Sequence, residues 1–355
     1  MSSQQNGYAG PPASPHLWSR DGFNGDICVT ARPHPIFAYT EARGPHAPHR
    51  LDLSDVELAD RDDPAAPPTV IATSRNEVSI AVSGRNAPTP FAWRNAENDE
   101  LHFIQEGELD YVTDFGTLRA APGDFVCLPR AVAYRVAPVS TPTLRVIVET
   151  PGQLLLKPPA PFGMLNLSRD VTHPDPSLSS RVDGPTELLV KAYDGITRYT
   201  VPHDPLAIDA VLGGQIPVWK LNLTAIQPLT YLPHGGPPGS FAETTDQDLL
   251  LYTLSARPGA RPPIHHNADF DELIFYFRGP GAYGALTSPG QLAWTPKSVT
   301  HWGPTEDVPQ GYLAWLCESK GTFRLTAAGL AAAQPMETGQ FGVQPVPANQ
   351  TPVTI

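Results

Sequence analysis

His266, Glu272 and His301 are the residues of this chain whose types and spacing could jointly do chemistry. They lie in one stretch, Pro262 to Pro304. It reads Pro-Pro-Ile-His-His-Asn-Ala-Asp-Phe-Asp-Glu, then the apolar run Leu273 to Phe277, then Arg278-Gly279. It closes on Ser298-Val-Thr-His301-Trp-Gly-Pro304. Two imidazoles and one carboxylate leave positions open on a bound metal. That donor set is the facial triad of non-haem Fe(II) oxygenases, in which substrate and dioxygen take the free positions. Mn(II) accepts the same donors. With eleven histidines in 355 residues, a His-x5-Glu spacing alone is weak.

The elements that must position these groups strengthen the reading. Leu273-Ile-Phe-Tyr-Phe277 is rich in strand-forming residues and is bounded by Arg278-Gly-Pro-Gly281, while Gln291-Leu-Ala-Trp-Thr295 is a second strand leading to His301. His265 adjoins His266, and neighbouring side chains of a strand point to opposite faces, so one of the two faces the site. Upstream, Thr69–Thr73, Val78–Val82, Glu108–Val112, Phe125–Leu128, Ala133–Val136 and Leu144–Val148 are short β-rich runs separated by turn residues. That rhythm suits a jelly-roll barrel. The expected fold is therefore all-β with few short helices, the best helix candidate being Ala327–Ala333.

Composition sets outer limits. A chain of 355 residues is long enough for two barrels with their own cores. Its 42 prolines far exceed the usual level of roughly 5% and argue for short strands and many turns. A net charge of -12 disfavours a nucleic-acid or anionic-membrane partner, which calls for basic faces. Cys28, Cys127 and Cys317 are odd in number and widely spaced, pointing to neither a disulfide framework nor a thiolate metal site. Nothing at the N-terminus resembles a signal peptide, and no run approaches the ~18 apolar residues of a membrane span. The expectation is a soluble protein of the reducing cytoplasm. His34, His46 and His49 form a second histidine-bearing segment, but no carboxylate stands at ligand spacing, so surface or packing roles are expected there.

Pro-Pro-Ile-His-His266, Glu272, Arg278-Gly279 and Thr300-His301-Trp-Gly-Pro304 resemble the iron-binding segment of the homogentisate 1,2-dioxygenase family. Asn98 to Gly107, Asp114-Phe-Gly116 and Pro122-Gly-Asp-Phe-Val126 resemble that family's first barrel. Pro217-Val-Trp-Lys-Leu-Asn222 and Asn166-Leu-Ser-Arg-Asp170 resemble the segments between its barrels. The resemblance runs from about residue 30 to about 320 and implies two cupin (jelly-roll) barrels in one chain. It implies a non-haem Fe(2+) dioxygenase that cleaves a hydroquinone-type or related hydroxylated aromatic ring with O2, and a homo-oligomer. The family's His-x5-Glu spacing selects His266, with Glu272 and His301, as metal ligands, and leaves His265 either supporting the ligands or facing solvent. His234, in Leu232-Pro-His-Gly-Gly236, matches the family's proposed general base, and neutral imidazole suits removal of a phenolic proton.

The substrate side departs from the family. Where a Tyr stands two residues beyond the Arg-Gly, this chain has Pro280-Gly281 with Tyr283 displaced. Where a His precedes the last metal His by six, it has Thr295. Tyr283, Thr295 and Trp302 are the candidate substrate-binding residues, and Phe270, Tyr276 and Trp294 are further aromatics that could line a pocket. In the first barrel Tyr134 takes the place of a cupin's last His and only His102 is nearby, so that barrel is expected to be metal-free.

The expected layout is an irregular arm over 1–30, a first barrel over 31–155, a connector over 156–185, a second barrel with the metal site over 186–325 and a C-terminal segment over 326–355. Residues 187–191 and 197–201 are expected as strands of the second barrel. Two other classes remain open: a bicupin enzyme of another reaction type, such as an isomerase or other oxidase, and a non-catalytic ligand-binding cupin.

Overall fold

The computed structural model describes residues 15–21, 24–33, 42–157, 165–179, 181–226, 239–256, 264–279, 286, 288–303 and 311–336. Strands dominate them, in four sheets of eight, six, eight and four strands. One eight-stranded sheet and the six-stranded sheet enclose the first barrel. The other eight-stranded sheet and the four-stranded sheet enclose the second. This is the two-barrel, all-β architecture expected, and the two α-helices, Leu167–Asp170 and Ala327–Ala332, are short.

The alternation of side chains along each strand explains how the barrels are filled and joined. In Asp99–Glu106, Leu101 and Phe103 point one way, into a core shared by both barrels. Ile104 points the other way, into an apolar cluster inside the first barrel. In Asp271–Arg278, Leu273, Phe275 and Phe277 point into the shared core, whereas Ile274 and Tyr276 fill the second barrel. At the junction Phe275 stacks on Trp315 with ring centroids 4.0 Å apart, and Phe103 meets Phe277 edge-on at 5.3 Å. The turn Pro122-Gly123-Asp124 abuts this junction. Gly123 has φ +90°, and a Cβ there would stand 3.1 Å from the Phe277 ring, so both backbone and space call for glycine.

The interior of the first barrel is polar at one end. His102 lies between Glu100 Oε2, 3.1 Å from its Nε2, and the Tyr111 hydroxyl, 3.0 Å from its Nδ1. Tyr134 donates to Glu100 Oε2 at 2.5 Å, and Arg145 donates to the Tyr111 oxygen at 3.2 Å. Burial pushes the His102 pKa down to about 4, against the pull of Glu100, so the ring is neutral near pH 7.

Three expectations about layout are corrected. Within 1–30, expected as an irregular arm, the chain forms two antiparallel strands, Pro15–Asp21 and Asn24–Ala31, the second ending one residue beyond it, and the first runs parallel to Ile264–Asn267. Thr186–Ala192 and Gly195–Val201, expected in the second barrel, belong to the six-stranded sheet of the first, where Thr186–Ala192 pairs parallel with Ala92–Asn95. The barrels also exchange strands: His49–Asp52 pairs with Gln291–Thr295, and Phe323–Leu325 pairs with Thr69–Ser74. Pairing between strands so far apart in the chain leaves no mark in local composition, so a division by sequence range missed these.

Candidate metal centre

Ile264–Asn267, Asp271–Arg278 and His301–Trp302 converge at one end of the second barrel. His265 pairs with His301 across two of these strands, which places both rings on one face, with centroids 4.3 Å apart. Glu272, the second residue of its strand, points to the interior side taken by Ile274 and Tyr276. The result is a buried group of His265, Glu272 and His301 whose potential ligand atoms all lie within 4.8 Å of one another. Glu272 Oε2 is 3.2 Å from His301 Nε2, and Glu272 Oε1 is 3.8 Å from His265 Nε2.

The structure therefore brings Glu272 and His301 together but pairs them with His265 rather than His266. His266 sits on the opposite face of its strand, half-buried, with Nδ1 3.2 Å from Thr300 Oγ1. The physical reason is local. Residues 268–270 between this strand and the next are not strand, so the His-x5-Glu count runs through a turn and carries no information about facing.

Burial and the two histidines act on Glu272 in opposite directions. Burial alone would push the Glu272 pKa up. The positive charge of His301 and hydrogen bonds to His265 and His301 outweigh it and hold the carboxyl well below the usual range. His301 Nδ1 is 3.0 Å from the Val299 carbonyl, an acceptor, so Nδ1 carries the proton. Nε2 then faces the Oε2 lone pairs of Glu272 at 3.2 Å, an approach satisfied by a second proton on the imidazole or by a metal ion between the two atoms. Two imidazole nitrogens and a carboxylate oxygen are a fitting donor set for a divalent first-row metal.

The other candidate residues divide. Thr295 is buried and pairs directly with Glu272, so it stands beside the group on the interior side. Trp302 pairs with Ile264 and projects from the face opposite His301, away from the group. Trp294 belongs to the shared core, where its Nε1 donates to Asp271 at 3.0 Å, whereas Phe270 and Tyr276 lie in the apolar cluster inside the second barrel. His234 and Tyr283 lie outside the described residues.

Sequence reasoning missed three neighbours. Asn267, two residues from His265 on the same face, donates through Nδ2 to Glu272 Oε1. Ser19, from the first strand, donates to Asn267 Oδ1 at 3.5 Å. Glu318 is buried and pairs with Glu272 in the Leu313–Ser319 strand. Strand alternation could have pointed to Asn267 once His265 was chosen; Ser19 and Glu318 carry no local signal.

Comparison with known proteins agrees with the resemblance. Residues 73–223 match the model for the N-terminal part of homogentisate 1,2-dioxygenase. A homogentisate 1,2-dioxygenase of Bradyrhizobium diazoefficiens is 27% identical over 268 residues, covering 66% of this chain and 58% of the relative. One from Rhodopseudomonas palustris is 29% identical over 196 residues, covering 51% of this chain and 43% of the relative. The chain thus spans about half the length of the curated relatives it matches. Among solved structures, a cupin 2 conserved barrel domain protein from Leptotrichia buccalis is 11% identical with a TM-score of 0.41, covering 74% of this chain and 98% of that one. Oxalate decarboxylase of Bacillus subtilis is 12% identical with a TM-score of 0.43, over 81% and 79% of the two chains. Among the described residues no helix is long and apolar enough to cross a membrane. By the matched model and these relatives, the chain is similar to the homogentisate 1,2-dioxygenase family, most clearly over residues 73–223.

Proposed function

We propose that the chain is a non-haem Fe(II) dioxygenase that cleaves a hydroquinone-type or related hydroxylated aromatic ring, with His265, Glu272 and His301 as the metal ligands. One observation carries this: the buried convergence of His301 Nε2 on Glu272 Oε2, with His265 Nε2 close by. A bound ferrous ion would supply the redox link between an electron-rich ring and O2.

The chain's own residues do the rest. His301 is held by Val299 with Nε2 turned inward, and Glu272 supplies the negative charge. Thr295, beside Glu272, presents a hydroxyl to the same interior, and Phe270 and Tyr276 make the barrel beyond it apolar. His234 is assigned as acceptor of the substrate's hydroxyl proton, since a phenol with a pKa near 10 needs a nearby base at neutral pH. Both the relatives' name and the two-imidazole, one-carboxylate donor set favour this reading over an isomerase or a binding protein.

The test is anaerobic loading with Fe(II), then oxygen uptake over a panel of hydroquinones, gentisates and aminophenols. Stoichiometric iron with oxygen consumption and ring opening on one of them is expected. Iron binding with turnover that is indifferent to oxygen would assign another reaction class. Absence of iron binding would remove the site.

A further inference from the structure

The two oxygens of Glu272 do not have equivalent surroundings. Oε2 faces His301, whereas Oε1 accepts the side-chain amide of Asn267. A carboxylate only accepts, so the amide must present its NH2 to Glu272 and turn its oxygen away. That oxygen meets the buried Ser19 hydroxyl at 3.5 Å. Ser19 pairs with Asn267 along the parallel ladder between the first strand and the histidine strand, and its carbonyl accepts from Ala268 N at 2.8 Å. On the other side, Asn267 O accepts from Ser298 N at 2.7 Å, in the turn that leads to His301. Asn267 is thus anchored by backbone and side chain between two separated parts of the chain.

On the reading of His265, Glu272 and His301 as ligands, we infer that Asn267 is a positioning residue that commits Glu272 to bind the metal through Oε2 alone. An oxygen that accepts an amide N–H at a buried site is held in that direction, so the carboxylate cannot turn it onto the ion without giving up the hydrogen bond. The consequence is a count of free positions. Three single-atom protein donors on a six-coordinate ion leave three positions, enough for a chelating ring ligand and one small molecule together. A carboxylate bound through both oxygens leaves two. Asn267 occupies the interior face two residues from His265, where a longer ligating side chain would fill one more position.

The test uses the full chain and Mn(II), which accepts the same donors and is stable in air. Mn(II) affinity is measured by calorimetry for the wild type and for Asn267→Leu. The Mn(II)-loaded proteins are then titrated with a catechol-type chelator and, with the chelator in place, with azide, which takes one position. Expected for Asn267→Leu is Mn(II) affinity and chelator affinity each within about threefold of wild type, and azide affinity of the chelator-loaded protein at least tenfold weaker. A merely structural role would weaken Mn(II), chelator and azide together, and that result overturns the inference, as does an azide affinity of the chelator-loaded variant equal to wild type. Asn267→Ser, which frees the same carboxylate oxygen without inserting bulk, is expected to show the same split and serves if the leucine variant fails to fold. Failure of the wild type to bind Mn(II) would overturn the metal site itself. Wild-type Mn(II) and chelator binding with no split in either variant would overturn only the role given to Asn267.

Discussion

His301 Nε2 and Glu272 Oε2 face each other at 3.2 Å inside the second barrel, one from a two-residue strand and the other from an eight-residue strand. Two lone-pair-bearing atoms cannot keep that separation while buried unless a positive charge joins them.

That relationship separates the two adjacent histidines by experiment. His265→Ala and His301→Ala should weaken Mn(II) or Fe(II) binding by at least about 100-fold, because each removes a donor to the ion. His266→Ala, whose ring meets Thr300 on the far face, should change it by less than about tenfold. Calorimetric titration of the three variants decides, and the opposite ranking would restore His266 as the ligand.

Stability should fall with acid in a window set by the first barrel. His102 takes up its proton near 6.5 when unfolded but only near 4 when folded, because burial disfavours the charged ring. Between those values the unfolded chain binds more protons, so stability is fully present above about 6.5 and is lost as pH falls towards 4, by an amount on the order of 3 kcal/mol. Glu100, whose pKa is lowered although burial opposes it, chiefly through its hydrogen bond to His102, adds loss in the same direction at lower pH. Urea midpoints measured from pH 7 to pH 4.5 should decline, and His102→Gln should make the decline shallower while starting from a less stable protein.

The shared core makes the barrels one cooperative unit. Trp315 stacks on Phe275 and meets Phe103 at 5.3 Å, and it is fully buried. Trp315→Ala should destabilise by about 3–5 kcal/mol. Far-UV circular dichroism and tryptophan fluorescence should trace one coincident urea transition in the wild type. Two separated transitions would show that the barrels unfold independently.

The Arg278-Gly279 motif has a steric origin. Gly279 has φ +98°, and a Cβ there would lie 2.4 Å from the Gly311 carbonyl oxygen, a backbone atom that cannot step aside. Gly279→Ala should lower stability by about 1–3 kcal/mol, read as a drop in thermal midpoint. A neutral substitution would mean that the following loop rearranges at little cost.

Local chemistry determined most of the elements by itself. Asp124–Leu128, Leu144–Thr150, Gln291–Thr295 and the helix Ala327–Ala332 lie where β-branched, aromatic or alanine-rich runs placed them, because such preferences act within a few residues. Glu272 and His301 stand beside strand-forming and turn residues, but it was the resemblance of the surrounding motifs to a known family that singled them out. Which histidine joins them was decided only in three dimensions. Alternation states that His265 and His266 face opposite ways, but which of them faces inward depends on the strands laid alongside, Pro15–Asp21 on one side and His301–Trp302 on the other. Asn267, Ser19 and Glu318 entered the site by the same route. Tertiary pairing joins residues that local preference treats as unrelated, since the hydrogen bonds of a β-ladder are satisfied by any backbone brought into register, however distant in the chain.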